Sequence, residues 1–385
     1  MNEERIGKIP NFLYAEQNSG LGTTVIVGKN GSGKTTLLSF LAKHYTDRGN
    51  TVFAISNTIF DKFNIRRKNF HYISLRHGRK LPENTIKQAL MNLSAENTGR
   101  LKNISLGLKH IGYDSDIGLA LNNFNFSMTE NILSDDTIPE VEREDIIALL
   151  YKLHGGEYTS WFNMETFSFE NINKSIYSRL IRYESLLKRH KIISSINIYL
   201  KKQEQPINLI EASSGELTFI STLIFLISRV TPNSIILVDE PENSLHPAWQ
   251  HKYVEIILDA LYLYEPQLVL ATHSPMILTG AKNTYSNIKI VHSANNSFDE
   301  LSIDSSNIEK IYMDLFDIVT PQNRQLSDTI VDLLNNFAAK KISFSKLKEK
   351  INALKDCSFD NTQKLILEKT LTMANTFSIS RANNE

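Results

Sequence analysis

Short apolar runs and longer helical patterns alternate along much of the chain and predict an α/β fold. The short runs are rich in Val, Ile and Leu, as buried strands are. Their alternation with helical patterns is typical of parallel sheets covered by helices. Strands are predicted over 24–27, 51–56, 71–75, 193–200, 207–210, 234–238 and 268–272, with a hairpin over 289–292 and 300–303.

The residue composition and the hydrophobic pattern change over 81–204, and this change divides the chain. Asn and Ser become frequent there, and helical patterns cover 139–153 and 169–189. We interpret this segment as an inserted, mostly helical lid. The predicted organisation is one lobe of the core at 1–80, the lid at 81–204, the second part of the core at 205–305 and a helical C-terminal region at 306–385. Helices are expected there over 326–337, 344–354 and 362–373.

The first motif that carries chemistry follows the strand over 24–27. It reads Gly28-x-x-x-x-Gly33-Lys34-Thr35 and leads into an apolar helical run, which is the strand, loop and helix that a P-loop requires. Glycines allow backbone N–H groups to wrap a phosphate, and the helix directs its positive end at the same anion. Lys34 should reach the outer phosphates, and the Thr35 hydroxyl should bind Mg²⁺. The predicted nucleotide-binding residues are Gly28, Asn30, Gly31, Ser32, Gly33, Lys34, Thr35 and Thr36.

Two further strands end in residues that suit phosphate chemistry. The strand over 234–238 runs into Asp239 and Glu240, which would serve the metal and accept the proton of an attacking water, respectively. The strand over 268–272 runs into His273, which could contact the γ-phosphate. Two exposed acids at a strand end and a structural histidine are the alternatives. Because ligands collect at the carboxyl ends of open parallel sheets, we favour the functional interpretation.

A second candidate anion site precedes the acid pair by about two dozen residues. It is Ser213-Ser214-Gly215-Glu216, at the start of an apolar helix. An ordinary serine N-cap would give the same local pattern. The spacing to the acid pair makes the functional interpretation stronger than the motif alone.

Together these motifs resemble those of ABC-type ATPases, and the likeness covers about residues 1–80 and 205–305. Walker A is Gly28–Thr35, the signature is Ser213–Glu216, Walker B is Ile235–Glu240 and the switch histidine is His273. The runs EPENSLHP and ATHSP are similar to the RecF/SMC/OLD-like branch, AAA_21-like, rather than to membrane transporters. Within that branch the chain resembles ATPases of bacterial anti-phage defence operons, such as PtuA of Septu and AriA of PARIS.

The resemblance implies ATP and Mg²⁺ as cofactors, with Thr35 and Asp239 in the metal shell. It implies a composite site in which Ser213–Gly215 of a second subunit close over the ATP bound to Walker A and Walker B. The chain would then form a homodimer or a higher oligomer through its nucleotides. Two departures stand out: Ala212 and Ser214 replace the usual Leu and Gly of the signature, and no Q-loop glutamine is evident, Gln88 being a poor candidate.

Composition narrows the classes of function. The formal net charge is zero, so no global field draws the chain to nucleic acid or to anionic lipid. Cys357 is the single cysteine, which fits a reducing compartment, and no apolar run is long enough to span a bilayer. We therefore expect a cytoplasmic protein with no membrane partner.

The leading hypothesis is an ATP-hydrolysing dimeric switch that controls a separate effector, a nuclease, in anti-phage defence. OLD-like nucleases carry a Toprim domain after the ATPase, and residues 306–385 are too few and too helical for one, so this chain should not cut DNA itself. The alternative is a repair ATPase of the SMC or RecF kind that binds DNA directly; its candidate contacts are Arg66–Lys68, Arg76–Lys80 and Lys188–Lys191. A transporter motor and a scaffold with unhydrolysed ATP are less favoured. Apolar stripes at 330–337 and 347–354 could pack on their own domain or dock a partner.

Overall fold

The computed structural model describes residues 9–14, 22–58, 62–74, 83–84, 86–87, 98–154, 159–166, 174–285, 287–301, 311, 313, 315, 324–356 and 361–382. The strands in these ranges are β1 (Thr23–Val27), β2 (Val52–Ser56), β3 (Phe70–Ser74), β4 (Asp116–Asn122), β5 (Thr159–Asn163), β6 (Ser195–Lys202), β7 (Gln205–Asn208), β8 (Ile235–Asp239), β9 (Gln267–Thr272), β10 (Ile288–Ala294) and β11 (Ser297–Leu301). The helices are α1 (Lys34–Asp47), α2 (Thr98–His110), α3 (Glu130–Leu133), α4 (Glu140–Leu153), α5 (Lys174–Arg189), α6 (Ser214–Arg229), α7 (Pro247–Ala260), α8 (Pro275–Thr284), α9 (Arg324–Ala338), α10 (Phe344–Asp356) and α11 (Asn361–Ala382).

A seven-stranded sheet forms the centre of the fold, with the order β11-β10-β1-β9-β8-β2-β3. All neighbours are parallel except β11, which forms the predicted hairpin with β10. Every residue of β1, β2, β8 and β9 is buried, because helices cover both faces of the sheet. That burial explains why these strands are continuous apolar runs, and it confirms the predicted α/β class.

The register of this sheet decides which residues meet at its carboxyl edge. Val27 at the end of β1 lies opposite Thr272 at the end of β9, and Asp239 at the end of β8 lies opposite Ala271. The loops that follow β1, β8 and β9 therefore leave the sheet side by side. These are the loops that carry the P-loop, the acid pair and His273.

A second, antiparallel sheet has the order β5-β4-β6-β7. The predicted strand over 193–200 is present in it, whereas β4 and β5 fall in the segment expected to be mostly helical. Helices are present there too, including those expected near 139–153 and 169–189. The expectation of a mostly helical segment therefore missed the strands but not the helices. The strand β4 was missed because its sequence, DIGLALN, has a weak strand pattern. Its third residue, Gly118, lies against the Trp161 ring of β5, and a glycine gives no strand signal of its own.

The helices and small sheet of 98–202 share their core with the parallel sheet. One continuous apolar cluster contains Phe53 of β2, Leu223 of α6, Leu108 of α2 and Ile198 of β6. A second cluster fills the opposite face, where Leu41 of α1 packs against residues of β1 and β8. The division of the chain at 81 and 204 stays a prediction, but the described part of this segment has no core separate from the main one.

The C-terminal helices α9, α10 and α11 are close to their predicted positions and form a cluster of their own. Its buried members are Leu326, Ile330, Leu333, Leu347, Ile351, Leu367 and Ala374, with Leu334, Phe337 and Leu354 packed against them. The two apolar stripes of the sequence thus cover each other. This packing favours the internal interpretation of those stripes over partner docking.

Candidate nucleotide site

The loop between β1 and α1 depends on its glycines. Gly31 and Gly33 have φ angles of 78° and 103°, in the left-handed region that favours glycine. A Cβ at Gly28 would lie 2.3 Å from the carbonyl oxygen of Ser293, and one at Gly33 would lie 2.4 Å from Oδ1 of Asn296. The turn of the β10–β11 hairpin therefore packs directly on the loop, which the sequence motif did not indicate.

Lys34 begins α1 and folds back over this loop. Its ammonium group donates to the carbonyl oxygens of Gly28 at 2.8 Å and of Lys29 at 2.9 Å. Burial lowers the pKa of Lys34, although the nearby carboxylates of Glu240, Asp239 and Glu242 oppose this. Since an ammonium has three donors, one remains for a phosphate oxygen in this geometry.

Two neighbouring hydroxyls of the loop differ in their partners. The Oγ of Ser32 is buried and has no hydrogen-bond partner, although the backbone oxygen of Ser32 accepts from Ser293 Oγ at 2.8 Å. The Thr36 hydroxyl accepts a hydrogen bond from Nζ of Lys62 at 2.7 Å. The sequence did not indicate a role for Lys62. Beside the loop lies a cleft of about 330 Å³ lined by Lys29–Ser32, His292–Asn295 and Leu315. An unsatisfied buried hydroxyl next to an open cleft is consistent with an anion-binding loop.

Walker A and Walker B meet through one hydrogen bond. Thr35 Oγ1 donates to Asp239 Oδ2 at 2.8 Å, and Asp239 is fully buried. Its second oxygen, Oδ1, has no partner. Burial raises the pKa of Asp239 to about 7, against the opposing effect of the Thr35 hydrogen bond.

These two side chains fit a Mg²⁺ ion. A hydroxyl and a buried carboxylate with a free lone pair are the oxygen ligands that Mg²⁺ uses together with substrate phosphates. Among the described residues, no group of three or more His, Cys, Asp or Glu side chains is placed to hold a metal alone. Thr35 and Asp239 would therefore hold the ion together with a nucleotide.

The structure brings Glu240 and His273 together at the same edge. Glu240 has a φ angle of 50°, and its backbone N–H donates to the Ala271 oxygen of β9 at 2.9 Å. Asn243 donates to its carboxylate at 3.0 Å. The imidazole Nε2 of His273 lies 3.5 Å from Oε1 of Glu240. The carboxylate is 22% exposed, so water can reach it.

Sequence reasoning missed two polar residues beside this group. Glu242 accepts from the Thr272 hydroxyl at 2.8 Å and from the His273 backbone N–H at 2.7 Å. Asn57 follows β2, and its backbone N–H donates to the backbone carbonyl oxygen of Asp239 at 3.2 Å. The side-chain Oδ1 of Asn57 is buried and has no hydrogen-bond partner. The run EPE pointed to Glu242, and the pairing of β2 with β8 would have pointed to Asn57. Gln88, the poor Q-loop candidate, lies outside the described residues.

The signature residues form a second group at the start of α6. Ser213 caps the helix and exchanges hydrogen bonds with Glu216 in a capping box. The Glu216 carboxylate also lies 3.2 Å from Lys202 Nζ of β6. A Cβ at Gly215 would lie 2.2 Å from the Ser244 oxygen, so the loop after Walker B touches this helix directly. Ser213 and Ser214 are exposed, which leaves the helix N-terminus open.

A model of a known protein family matches part of the chain. Residues 111–279 match the family model described as "AAA domain, putative AbiEii toxin, Type IV TA system", a range that contains the signature, Walker B and His273 and begins after the P-loop. Over this range, which is less than half of the chain, the sequence is similar to the AAA_21 family.

Two relatives illustrate how far the similarity of this chain to known proteins extends. A probable ATPase of retron Vc95 from Vibrio cholerae serotype O1 biovar El Tor is 24% identical, over 85% of this chain and 79% of the relative. Protein ea59 of Escherichia phage lambda is 34% identical over 70 residues, which are 18% of this chain and 13% of that protein.

Solved structures give only a weak likeness. An ATP-binding cassette of an ABC transporter in its ADP conformation is 14% identical, with 77% of this chain and 87% of that chain covered and a TM-score of 0.30. An Smc head domain from Pyrococcus furiosus is 11% identical, with 77% and 93% covered and a TM-score of 0.29. Scores this low add nothing to the motifs and the sheet order.

Several of the candidate DNA contacts form ion pairs with acids. Lys188 pairs with Glu184 at 2.5 Å, and Arg189 and His190 both contact Asp135, at 2.7 Å and 2.9 Å. Arg67 pairs with Asp47 at 3.3 Å. The stretch 76–80 lies outside the described residues. Within the described ones, no helix is long and apolar enough to cross a membrane.

The Thr35–Asp239 contact generates a prediction. Thr35→Val keeps the shape of the side chain but removes the hydroxyl, so the affinity for Mg²⁺-ATP should fall roughly 10- to 100-fold. The affinity for a fluorescent ATP analogue is measured by titration in Mg²⁺ and again in EDTA. In Thr35→Val the two affinities should become equal. Thr46→Val, which removes a buried hydroxyl bonded to Ala42 at the far end of the same helix, is the matched control. An unchanged Mg²⁺ dependence in Thr35→Val would remove Thr35 from the metal shell.

Proposed function

We propose that this protein binds and hydrolyses ATP and uses the nucleotide as a dimeric switch that controls a separate effector in defence against phage. The observation that supports it most is the 2.8 Å hydrogen bond between Thr35 and Asp239, with Glu240 and His273 beside it. A metal-binding hydroxyl, a buried metal-binding carboxylate, a base and a phosphate sensor are then within one small region. Each comes from the carboxyl end of a neighbouring parallel strand.

In the proposed reaction each side chain has one task. Backbone N–H groups of 28–33 and the Lys34 ammonium hold the phosphates, and bound Mg²⁺ would neutralise their charge. Glu240, the partly exposed carboxylate, accepts a proton from the attacking water. Asn243 fixes its orientation through the 3.0 Å hydrogen bond. His273 would donate from Nε2 to the γ-phosphate.

The exposed signature supports a composite site between two copies of the chain. Ser213 and Ser214 present the open N-terminus of α6 to solvent, which suits the γ-phosphate of a second subunit. ATP favours the closed dimer only through the extra contacts it makes there, and hydrolysis removes them. Closure and reopening would be the switch.

A separate effector is the part of the proposal that depends most on relatives. The family description includes a toxin of a type IV toxin–antitoxin system, and one relative is a retron ATPase. Both point to a chain that acts with a second component in defence. Direct DNA binding is less well supported, because several residues of the described basic clusters form ion pairs with acids.

Glu240→Gln tests hydrolysis. Loss of the base should slow turnover by roughly 10²–10⁴-fold, while ATP binding survives and closed dimers accumulate, measured by phosphate release and by light scattering after gel filtration. Lys34→Ala should instead lose nucleotide affinity. Wild-type turnover in Glu240→Gln would contradict the assigned role of Glu240.

Mixed dimers test the composite site. Lys34→Ala and Ser213→Asp should each be inactive alone; aspartate still caps α6 but repels the γ-phosphate. A heterodimer of the two holds one intact site, with Lys34 from one chain and Ser213 from the other. Mixing the variants should therefore restore ATPase activity, and a mixture that stays inactive would argue for sites within single chains.

Purification of tagged Glu240→Gln protein from its native host tests the effector. We expect a stoichiometric complex with a nuclease, seen by native mass spectrometry, whose cleavage of DNA changes when wild-type chain replaces the trapped variant. The chain alone should not cleave DNA with Mg²⁺. Cleavage by the purified chain would refute the separate-effector part of the proposal.

A further inference from the structure

Glu242 is a buried carboxylate that holds the turn carrying His273. The Thr272 hydroxyl donates to one of its oxygens at 2.8 Å, and the His273 backbone N–H donates to the other at 2.7 Å. Its side chain is 9% exposed. Both donors lie where β9 ends, one strand away from the loop that carries Glu242.

The negative charge of Glu242 is not needed for this turn. Any pair of acceptor atoms would satisfy the two donors, whereas burial of a carboxylate is costly. Burial raises the pKa of Glu242, and the hydrogen bonds from His273 and Thr272 oppose that shift without cancelling it. A costly charge that local structure does not require is a sign of a role elsewhere in the site.

The imidazole of His273 lies between two carboxylates. Its Nε2 is 3.5 Å from Oε1 of Glu240 and 3.5 Å from Oε1 of Glu242. Its Nδ1 is buried and has no hydrogen-bond partner. Lys34 and Asp239 are charged groups that interact with both of these carboxylates. The two carboxylates are therefore close enough to influence the orientation of the ring.

The two glutamates differ in how firmly they are held. Glu242 is fixed by two donors from β9 and the turn, at 9% exposure. Glu240 accepts from Asn243 in its own loop and is 22% exposed. Glu242 is the stationary neighbour of the imidazole, and Glu240 is the one that must be released to act on water.

We propose that Glu242 is a positioning residue for hydrolysis, which keeps His273 next to a fixed negative charge while its Nε2 turns from Glu240 to the γ-phosphate. Glu240 is then freed as a base in the same movement. This inference rests on the proposed function, because it assigns Glu242 a role in that reaction.

Glu242→Gln tests the charge with little change of shape. We expect kcat to fall roughly tenfold or more, with KM for ATP little changed, since Glu242 acts on His273 rather than on the nucleotide in this proposal. Asp135→Asn is the matched control: Asp135 accepts from the Thr137 backbone N–H at 3.0 Å and contacts Nε2 of His190 at 2.9 Å, far along the chain from the site. That control should keep wild-type kcat. A Glu242→Gln enzyme with wild-type kcat would overturn the inference.

A double-mutant cycle separates positioning from support of the loop. In a His273→Ala background, Glu242→Gln should cost no further kcat, because its effect passes through the imidazole. An equal loss in both backgrounds would overturn the inference. Thr272→Val removes one donor but leaves the charge, so its kcat should stay close to that of the wild type. This expectation can be tested even where Glu242→Gln does not fold, and a loss in Thr272→Val as large as that in His273→Ala would overturn the inference.

A spectroscopic measurement keeps this test distinct from that of the proposed function. In nucleotide-free protein labelled at its 10 histidines, the ring resonances of His273 are assigned by their loss in His273→Ala. Glu242→Gln should shift them, and Asp135→Asn should not. Unmoved His273 resonances would refute the inference whether or not the chain hydrolyses ATP, whereas shifted resonances in a chain without ATPase activity would refute the proposed function alone.

Discussion

The hydrogen bond between Thr35 and Asp239 is the contact on which the site depends, since it joins residues 204 positions apart. It forms because β1, β9 and β8 are parallel neighbours in register, so the loops after them begin at the same level. The register also concentrates charge, because Lys34, Asp239, Glu240 and Glu242 lie close enough to interact electrostatically. Three carboxylates against one ammonium leave an excess of negative charge, which a divalent cation would offset.

The parallel core and this cluster could be predicted because each part has a local signature. Strands buried on both faces must be continuous apolar runs, as in 235–239, and a P-loop needs glycine where the backbone adopts positive φ, as at Gly31 and Gly33. Adjacency in space followed from one rule, that ligands gather at the carboxyl ends of parallel strands. No pairing had to be known in advance for that rule to apply.

The remaining features depend on contacts that no local pattern encodes. β4 is a strand because β5 and β6 flank it, although Gly118, Leu119 and Ala120 carry little β propensity. The stripe at 330–337 predicts an apolar face but not the helix that covers it, which is α10. Glu242 was visible as an acid after Walker B, but its two donors come from a turn 30 residues later.

The signature helix shows how the antiparallel sheet belongs to the same mechanism. Lys202 of β6 contacts Glu216 at its N-terminus, and Arg100 of α2 donates to the Ile227 and Val230 oxygens at its C-terminus. Glu216 at the N-terminus and Arg100 at the C-terminus have the charges that the helix dipole favours at those ends. Because α6 is held at both ends and packs against α2 and α7 along its length, Ser213 cannot move far by itself. Under the proposed dimer, closure over a γ-phosphate would therefore be a movement of whole subunits rather than of one loop, and the segment 98–202 would move with the signature.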